Sequence, residues 1–150
     1  MKKILVFDMD GTIADLYGVE NWLEYLNNED VTPYEVAEPL YQMAELNEIC
    51  ENLKQIGFEI IITSWLSKMA SKQYENEIAK AKTEWVKRYN FPVDRMYCVP
   101  YGTPKEEVTR ELGGFQILID DEQRNLDRWT NGATFNAQEN IIEFLRSLGL

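Results

Sequence analysis

Two carboxylates one residue apart, followed by a glycine, stand near the start of the chain: Asp8-Met9-Asp10-Gly11-Thr12. Residues two apart point to the same side of an extended backbone. One carboxylate can therefore attack a substrate while the other handles a proton on the same face. Gly11 lets the chain turn sharply close to a ligand. Two more polar clusters each close an apolar run: Thr63-Ser64 after Phe58 to Ile62, and Asp120-Asp121 after Phe115 to Ile119. Crowded carboxylates repel one another, so the set calls for a cation. Oxygen-rich sites suit Mg²⁺, which takes one or two carboxylates plus substrate phosphate and water. Such a cation also offsets the repulsion between an anionic nucleophile and an anionic phosphate. Taken singly, each cluster has an ordinary reading: a turn or calcium loop at Asp8, a strand end or helix cap at Thr63-Ser64, a turn at Asp120-Asp121. The buried-type strand before Asp8, with no helix ahead of it, disfavours an EF-hand. The ordered set, each member at a strand end, is what points to phosphate chemistry.

Composition narrows the chemistry further. The 150 residues include 26 acidic, 15 basic, no histidine and two cysteines. Without histidine there is no Ser-His-Asp or Cys-His catalysis, no His-ligated zinc and no phosphohistidine. Two cysteines cannot build a Cys₄ site. Any enzyme here works with carboxylates, hydroxyls, lysines and a hard metal. A net charge of −11 argues against non-specific binding to nucleic acid or an anionic membrane. Met1-Lys2-Lys3 is followed only by Ile4 to Phe7, too short an apolar run for a signal peptide or a membrane span. The expectation is a cytoplasmic protein with Cys50 and Cys98 reduced.

The elements that must position these residues alternate. Ile4 to Phe7, Phe58 to Ile62 and Phe115 to Ile119 read as strands covered on both faces, with weaker strands at Met96 to Val99 and Ala133 to Phe135. Met43, Leu46, Cys50, Leu53 and Ile56 recur at helical spacing until Gly57. Tyr74, Ile78, Ala81, Trp85 and Tyr89 mark a longer helix. Leu126 and Trp129 suggest a short one, and Ile141, Leu145 and Leu148 a C-terminal one. Thr103-Pro104-Lys105-Glu106 and Thr32-Pro33-Tyr34-Glu35 read as capping boxes with proline at the first helical position. The prediction is a single α/β domain over 1–150, with a parallel sheet flanked by helices. Residues 13–41 are acidic, tyrosine-rich and without a strand pattern. They read as a small helical cap insertion beside the carboxyl ends of the strands, where open α/β sheets bind ligands.

With these residues in view, the chain resembles the haloacid dehalogenase superfamily of aspartate-nucleophile phosphatases. Asp8-Met9-Asp10-Gly11-Thr12 matches its first motif, Thr63 or Ser64 its second, Lys105 its third, and Asp120-Asp121 its fourth. The resemblance spans Ile4 to about Phe135 and implies a Rossmann-like fold of that type. It implies Asp8 as the nucleophile of an aspartyl-phosphate, and Asp10 as general acid and then base. It implies Mg²⁺ held by the Asp8 carboxylate, the Asp10 backbone carbonyl and the Asp120/Asp121 pair, with Asp121 favoured as the direct ligand. Thr63, Ser64 and Lys105 would bind phosphate, Lys105 from the first turn of its helix; its ordinary alternative is a solvated surface lysine.

Within the superfamily, Thr63 to Trp85-Val86 looks most like the 5′(3′)-deoxyribonucleotidases, which carry a lysine three residues before Trp-Val. Here that lysine is Lys82, which the resemblance brings to the phosphate and which could equally be a helix-surface lysine. Those relatives have a larger cap, so the short insertion leaves two routes to selectivity: a large substrate that protrudes, or a second subunit in a homodimer. Tyr17, Trp22, Tyr25, Tyr34 and Tyr41 are candidates to stack a base.

The leading expectation is a Mg²⁺-dependent phosphomonoesterase acting on a small phosphorylated substrate, a nucleoside monophosphate first. A polynucleotide 3′-phosphatase is the second reading. The acidic balance opposes it, although Lys68, Lys72, Lys80, Lys82, Lys87 and Arg88 concentrate in one region. A non-catalytic phosphate-binding module is the third, and would predict a damaged motif. Transfer to an acceptor other than water shares every residue.

Overall fold

A computed structural model describes residues 1–149. In chain order its elements are β1 (Lys3–Phe7), β2 (Ala14–Asp15), α1 (Trp22–Asn27), α2 (Thr32–Val36), β3 (Glu38–Pro39), α3 (Met43–Gln55), β4 (Phe58–Trp65) and α4 (Lys72–Arg88). They continue with β5 (Arg95–Val99), α5 (Lys105–Thr109), β6 (Phe115–Asp120), α6 (Gln123–Arg128), β7 (Gly132–Asn136) and α7 (Ile141–Leu148). The main sheet has five strands in the order β5-β4-β1-β6-β7, paired parallel throughout. This is the α/β architecture expected from the alternation of strands and helices.

β1 sits at the centre because it is apolar on both faces. Ile4, Leu5, Val6 and Phe7 are fully buried, each contributing about 1.5–3 kcal/mol by leaving water. The period of two sorts the strand residues. Leu5, Phe7, Ile60, Ile62, Ile117 and Ile119 face a core shared with α3, α7 and the end of α4. Ile4, Val6, Ile61 and Leu118 face the opposite side, against Leu112, Leu126 and Trp129. Helices thus cover both faces. Gly57, at φ +105, follows α3 and turns the chain into β4.

Three local expectations need correction. Residues 13–41 do contain strands: Ala14 pairs with Pro39 and Asp15 with Glu38, antiparallel. Two-residue strands are too short to leave a periodic signal. The capping boxes do not form. α2 begins at Thr32 itself, whose amide and hydroxyl both donate to Asp30 Oδ1. α5 begins at Lys105 after Pro104, whose ψ of 117° lies outside the helical region, and Thr103 Oγ1 donates back to the Pro100 carbonyl. Cys50 and Cys98 are both free thiols. Among the described residues no helix is long and apolar enough to cross a membrane.

The 13–41 segment is fastened to α4. Trp85 Nε1 donates to the Ala37 carbonyl at 2.8 Å, Arg88 Nη1 to the Glu35 carbonyl at 2.8 Å, and the Tyr74 hydroxyl to the Asp30 carbonyl at 2.9 Å. Ser71, which caps α4, donates its amide and hydroxyl to the Glu29 carboxylate. Leu16 and Tyr34 complete the join by packing with Tyr74, Ile78 and Ala81.

Candidate active site

The register of the sheet assembles the site. Phe7 lies opposite Ile62 on one side and Ile119 on the other. One residue further along the strands, Asp8 therefore stands between Thr63 and Asp120. In-register residues of parallel strands share a face, here that of Ile4, Val6, Ile61 and Leu118. Ser64, one residue on, points to the other face. The chain then turns at once: the Met9 carbonyl accepts from the amides of Thr12, Ile13 and Ala14, with Gly11 at φ +82. A Cβ on Gly11 would come within 2.2 Å of the Asp121 carboxylate, so glycine is what admits that carboxylate to the site.

Asp8 is nine-tenths buried and held on both oxygens. Lys105 Nζ donates to Oδ1 at 2.9 Å and Thr12 Oγ1 to Oδ2 at 2.9 Å. Burial pushes the Asp8 carboxyl up, but Lys105, Asp121 and Thr12 together outweigh it and hold it below its ordinary value. Lys105 is itself buried and also donates to Asp120 Oδ2 at 2.8 Å. Burial opposes its charge, and the two carboxylates more than restore it. Lys105 is thus a clamp between neighbouring strands and not a solvated surface group. An ammonium has three protons, so one donor of Lys105 stays available.

The Asp120-Asp121 pair divides as strand geometry requires. Asp120 is buried, accepting from Lys105 and Asn125 on Oδ2 and from the Glu122 amide on Oδ1. Asp121 is half-buried beside Asp8. One oxygen each of Asp8, Asp120 and Asp121 lies within 4.8 Å of the others. Burial and then the Asp8 charge push Asp120 up to about 6. Burial, the Asp8 charge and a hydrogen bond to Asp8 push Asp121 up to about 9. Near neutral pH Asp121 therefore carries a proton directed at Asp8. The cluster relieves its own repulsion with that proton, and a divalent cation would displace it.

The same-face spacing expected for Asp8 and Asp10 does not hold, because β1 ends at Phe7 and the chain turns at Met9. Asp10 lines the same cleft as Asp8 but pairs with α4. Its side chain is 14% exposed and accepts from Lys82 Nζ on Oδ2 at 2.8 Å. Burial raises its carboxyl above the ordinary value, against the pull of the Lys82 ammonium. Lys82 is 0% exposed. It donates to Asp10 Oδ2 at 2.8 Å, to Ser64 Oγ at 2.7 Å and to the Trp65 carbonyl at 2.8 Å. It is no surface lysine, and the basic stretch from Lys68 to Arg88 loses a member to the interior.

Of the four buried side-chain polar atoms without a partner among the described residues, two lie at the site: Thr63 Oγ1 and Asn125 Oδ1. Leaving such groups unpaired costs about 1–3 kcal/mol each. Thr63 stands in register with Asp8, and Asn125 is bonded to Asp120, so both orphans flank the acidic cluster. Thr63 Oγ1 can donate to an oxygen of a bound group, whereas Asn125 Oδ1 is an acceptor and calls for a donor or a cation. The donor set is all oxygen, as Mg²⁺ prefers. Asp8, Asp120 and Asp121 would hold the ion.

Above the carboxylates opens a cleft of about 560 Å³. Of the aromatics anticipated for stacking, Tyr17, Trp22 and Tyr34 line it. Tyr25 faces a separate pocket with Asn21 and Asp30, and Tyr41 packs on the core. Trp65, Tyr101 and Asn125 also line the cleft and were missed from sequence. Trp65 follows Ser64 directly, which was a usable signal. Tyr101 and Asn125 gave none.

No family model matches the chain, and no curated protein matches it in sequence. Solved structures do match. One is the D,D-heptose 1,7-bisphosphate phosphatase from Burkholderia thailandensis, with a TM-score of 0.56 and 13% identity over 98% of each chain. At that identity the likeness shows a shared fold.

Proposed function

We propose that the chain is a Mg²⁺-dependent phosphomonoesterase of the haloacid dehalogenase type, with nucleoside monophosphates as its first candidate substrates. The observation that carries this reading is Asp8, deprotonated and clamped by Lys105 and Thr12, with Asp10 two residues on. A nucleophile held below its ordinary pKa and an acid raised above its own are the pair that phosphoryl transfer needs. The phosphatase activity of a protein with the same fold is in keeping with it.

An Asp8 oxygen attacks phosphorus. The bond to the leaving oxygen breaks with its electron pair, and that oxygen takes the proton from Asp10. Water then attacks the aspartyl-phosphate, Asp10 accepts its proton, and the Asp8 carboxylate departs as phosphate is freed. Thr63 and Ser64 hydroxyls and the spare donor of Lys105 would hold the phosphate oxygens. When bound, Mg²⁺ supplies charge neutralisation at the phosphate. For the nucleotide preference, the support is the size of the cleft and its Tyr17, Trp22, Tyr34, Trp65 and Tyr101 walls. An oligonucleotide substrate is less favoured, because burial of Lys82 depletes the basic stretch.

The test is phosphate release from nucleoside 5′- and 3′-monophosphates, sugar phosphates and a 3′-phosphorylated oligonucleotide, with Mg²⁺ or EDTA. Metal-dependent release, fastest from a mononucleotide, is expected. Release from the oligonucleotide alone would favour the polynucleotide reading. No release from any substrate by a folded, Mg²⁺-binding protein would favour a phosphate-binding module.

A further inference from the structure

We infer that Lys82 is a positioning residue for Asp10 and Ser64, and not a ligand of the substrate's phosphate. The inference rests on the phosphatase reading above and departs from the role that the family resemblance implies for this lysine.

The argument is donor arithmetic. A lysine ammonium has three N–H donors and no acceptor. Those of Lys82 go to Asp10 Oδ2, Ser64 Oγ and the Trp65 carbonyl, all at 2.7–2.8 Å. None is left for a phosphate oxygen. Reaching one would mean breaking a bond in a site where Lys82 is 0% exposed, leaving a buried acceptor unpaired. Tyr34 closes the site from the 13–41 segment, its ring centroid 5.3 Å from Nζ. Lys105, equally buried, keeps a donor free.

The three bonds also set directions. Asp10 is held by Oδ2 alone; Oδ1 accepts no bond among the described residues, and Asp10 lines the cleft where a leaving group would sit. Ser64 accepts from Lys82, so its own proton is directed elsewhere, free to donate to phosphate. The Trp65 carbonyl fixes the ammonium to β4, and α4 carries it. Lys82 therefore orients the proton of the leaving group and the hydroxyl of the phosphate site together, through groups other than itself.

A positioning role and a phosphate-binding role differ in leaving-group dependence. Aryl phosphates with acidic phenols depart without a proton, whereas alkyl phosphates need the acid. Lys82→Met is compared with wild type on 4-nitrophenyl phosphate and on an alkyl monophosphate. Binding of inorganic phosphate is measured in parallel by calorimetry with Mg²⁺ present. The expected result is a kcat loss of about 100-fold on the alkyl ester, the low end of acid–base contributions. On the aryl ester the loss stays below about tenfold, and phosphate affinity changes by less than about threefold, under 1 kcal/mol. Equal losses on both esters with phosphate binding weakened tenfold or more would overturn the proposal.

Should Lys82→Met fail to fold, the Asp10→Asn, Lys82→Met double variant buries no unpaired charge and carries the binding measurement against Asp10→Asn. Unchanged phosphate affinity supports the positioning role, and weakened affinity overturns it. If wild type hydrolyses neither ester, the phosphatase reading fails, while the binding comparison still decides whether Lys82 touches phosphate.

Discussion

Lys105 and Lys82 enter the carboxyl edge of the sheet from opposite faces. Lys105, on α5, joins carboxylates of two neighbouring strands and keeps a donor. Lys82, on α4, joins one carboxylate, one hydroxyl and one carbonyl and keeps none. The Asp8 side is left unfinished: Asp121 holds a proton, and Thr63 and Asn125 hold orphaned atoms. The Asp10 side is closed. Burial and charge are alike for the two lysines, so neither tells which one meets a ligand. The donors and acceptors left over do.

The largest effect should come from Asp8→Asn, which removes the proposed nucleophile while keeping the shape. Phosphate release should fall about 10⁴-fold or more, the scale for loss of a covalent nucleophile. The same change removes the charge that raises Asp121, so its carboxyl should titrate lower by NMR. An Asp121 that still held its proton near pH 9 would break the account of the unfinished side.

Lys105→Met sharpens the comparison next. It strips the shared cation from Asp8 and Asp120, which should cost about 3–5 kcal/mol in metal-free protein, the scale for breaking a buried pair. Urea denaturation reads this, and Mg²⁺ should recover part of the loss by replacing the missing charge. A gap that Mg²⁺ leaves unchanged would mean that the cation does not bind among these carboxylates.

Stability against pH tests the same side with no substitution. Asp120 and Asp121 sit at about 6 and about 9 in the folded protein, against about 3.9 unfolded. Between these values the folded state binds more protons than the unfolded one. Stability of the metal-free protein should therefore fall as pH rises from about 5 to 9. Asp8, held low, acts with opposite sign and only below about pH 4. Mg²⁺ should flatten the profile and release about one proton at pH 7, from Asp121. Calorimetry in buffers of different ionisation enthalpy measures that proton. A profile that rises over this range would contradict the raised carboxyls.

What could be read from sequence divides along the same line. β1, β4 and β6 announce themselves by unbroken apolar runs, and whatever follows such a run must emerge at the sheet edge. Asp8, Thr63, Ser64, Asp120 and Asp121 were legible for that reason. Helical spacing gave α3, α4 and α7. The partners of Lys82 were not legible, because they depend on which face of α4 turns toward Asp10, and that is set by packing of Tyr74, Ile78 and Trp85. Asn125 was hidden because a single asparagine in a short helix looks like any exposed polar residue until its bond to Asp120 is seen. β2 and β3 were hidden by length alone.

The smallest effect probes the join between the 13–41 segment and α4. Trp85→Phe keeps most of the buried ring but removes the donor to the Ala37 carbonyl. An unpaired buried carbonyl costs about 1–3 kcal/mol. The loss should fall on the segment rather than the sheet, because Ala37 belongs to the former and β1 makes none of these bonds. Amide exchange should accelerate over residues 22–37 and stay slow in β1 and β6. Phosphate affinity should hold, since Lys105, Thr63 and Asp120 depend on strand register and α5. Selectivity among substrates of different size should relax, since Tyr17, Trp22 and Tyr34 form that wall of the cleft. Exchange that rises equally in β1 would show the segment and the sheet to be one cooperative unit. The contrast between a closed α4 side and an unfinished α5 side would then be a difference in chemistry only, with no difference in local stability beneath it.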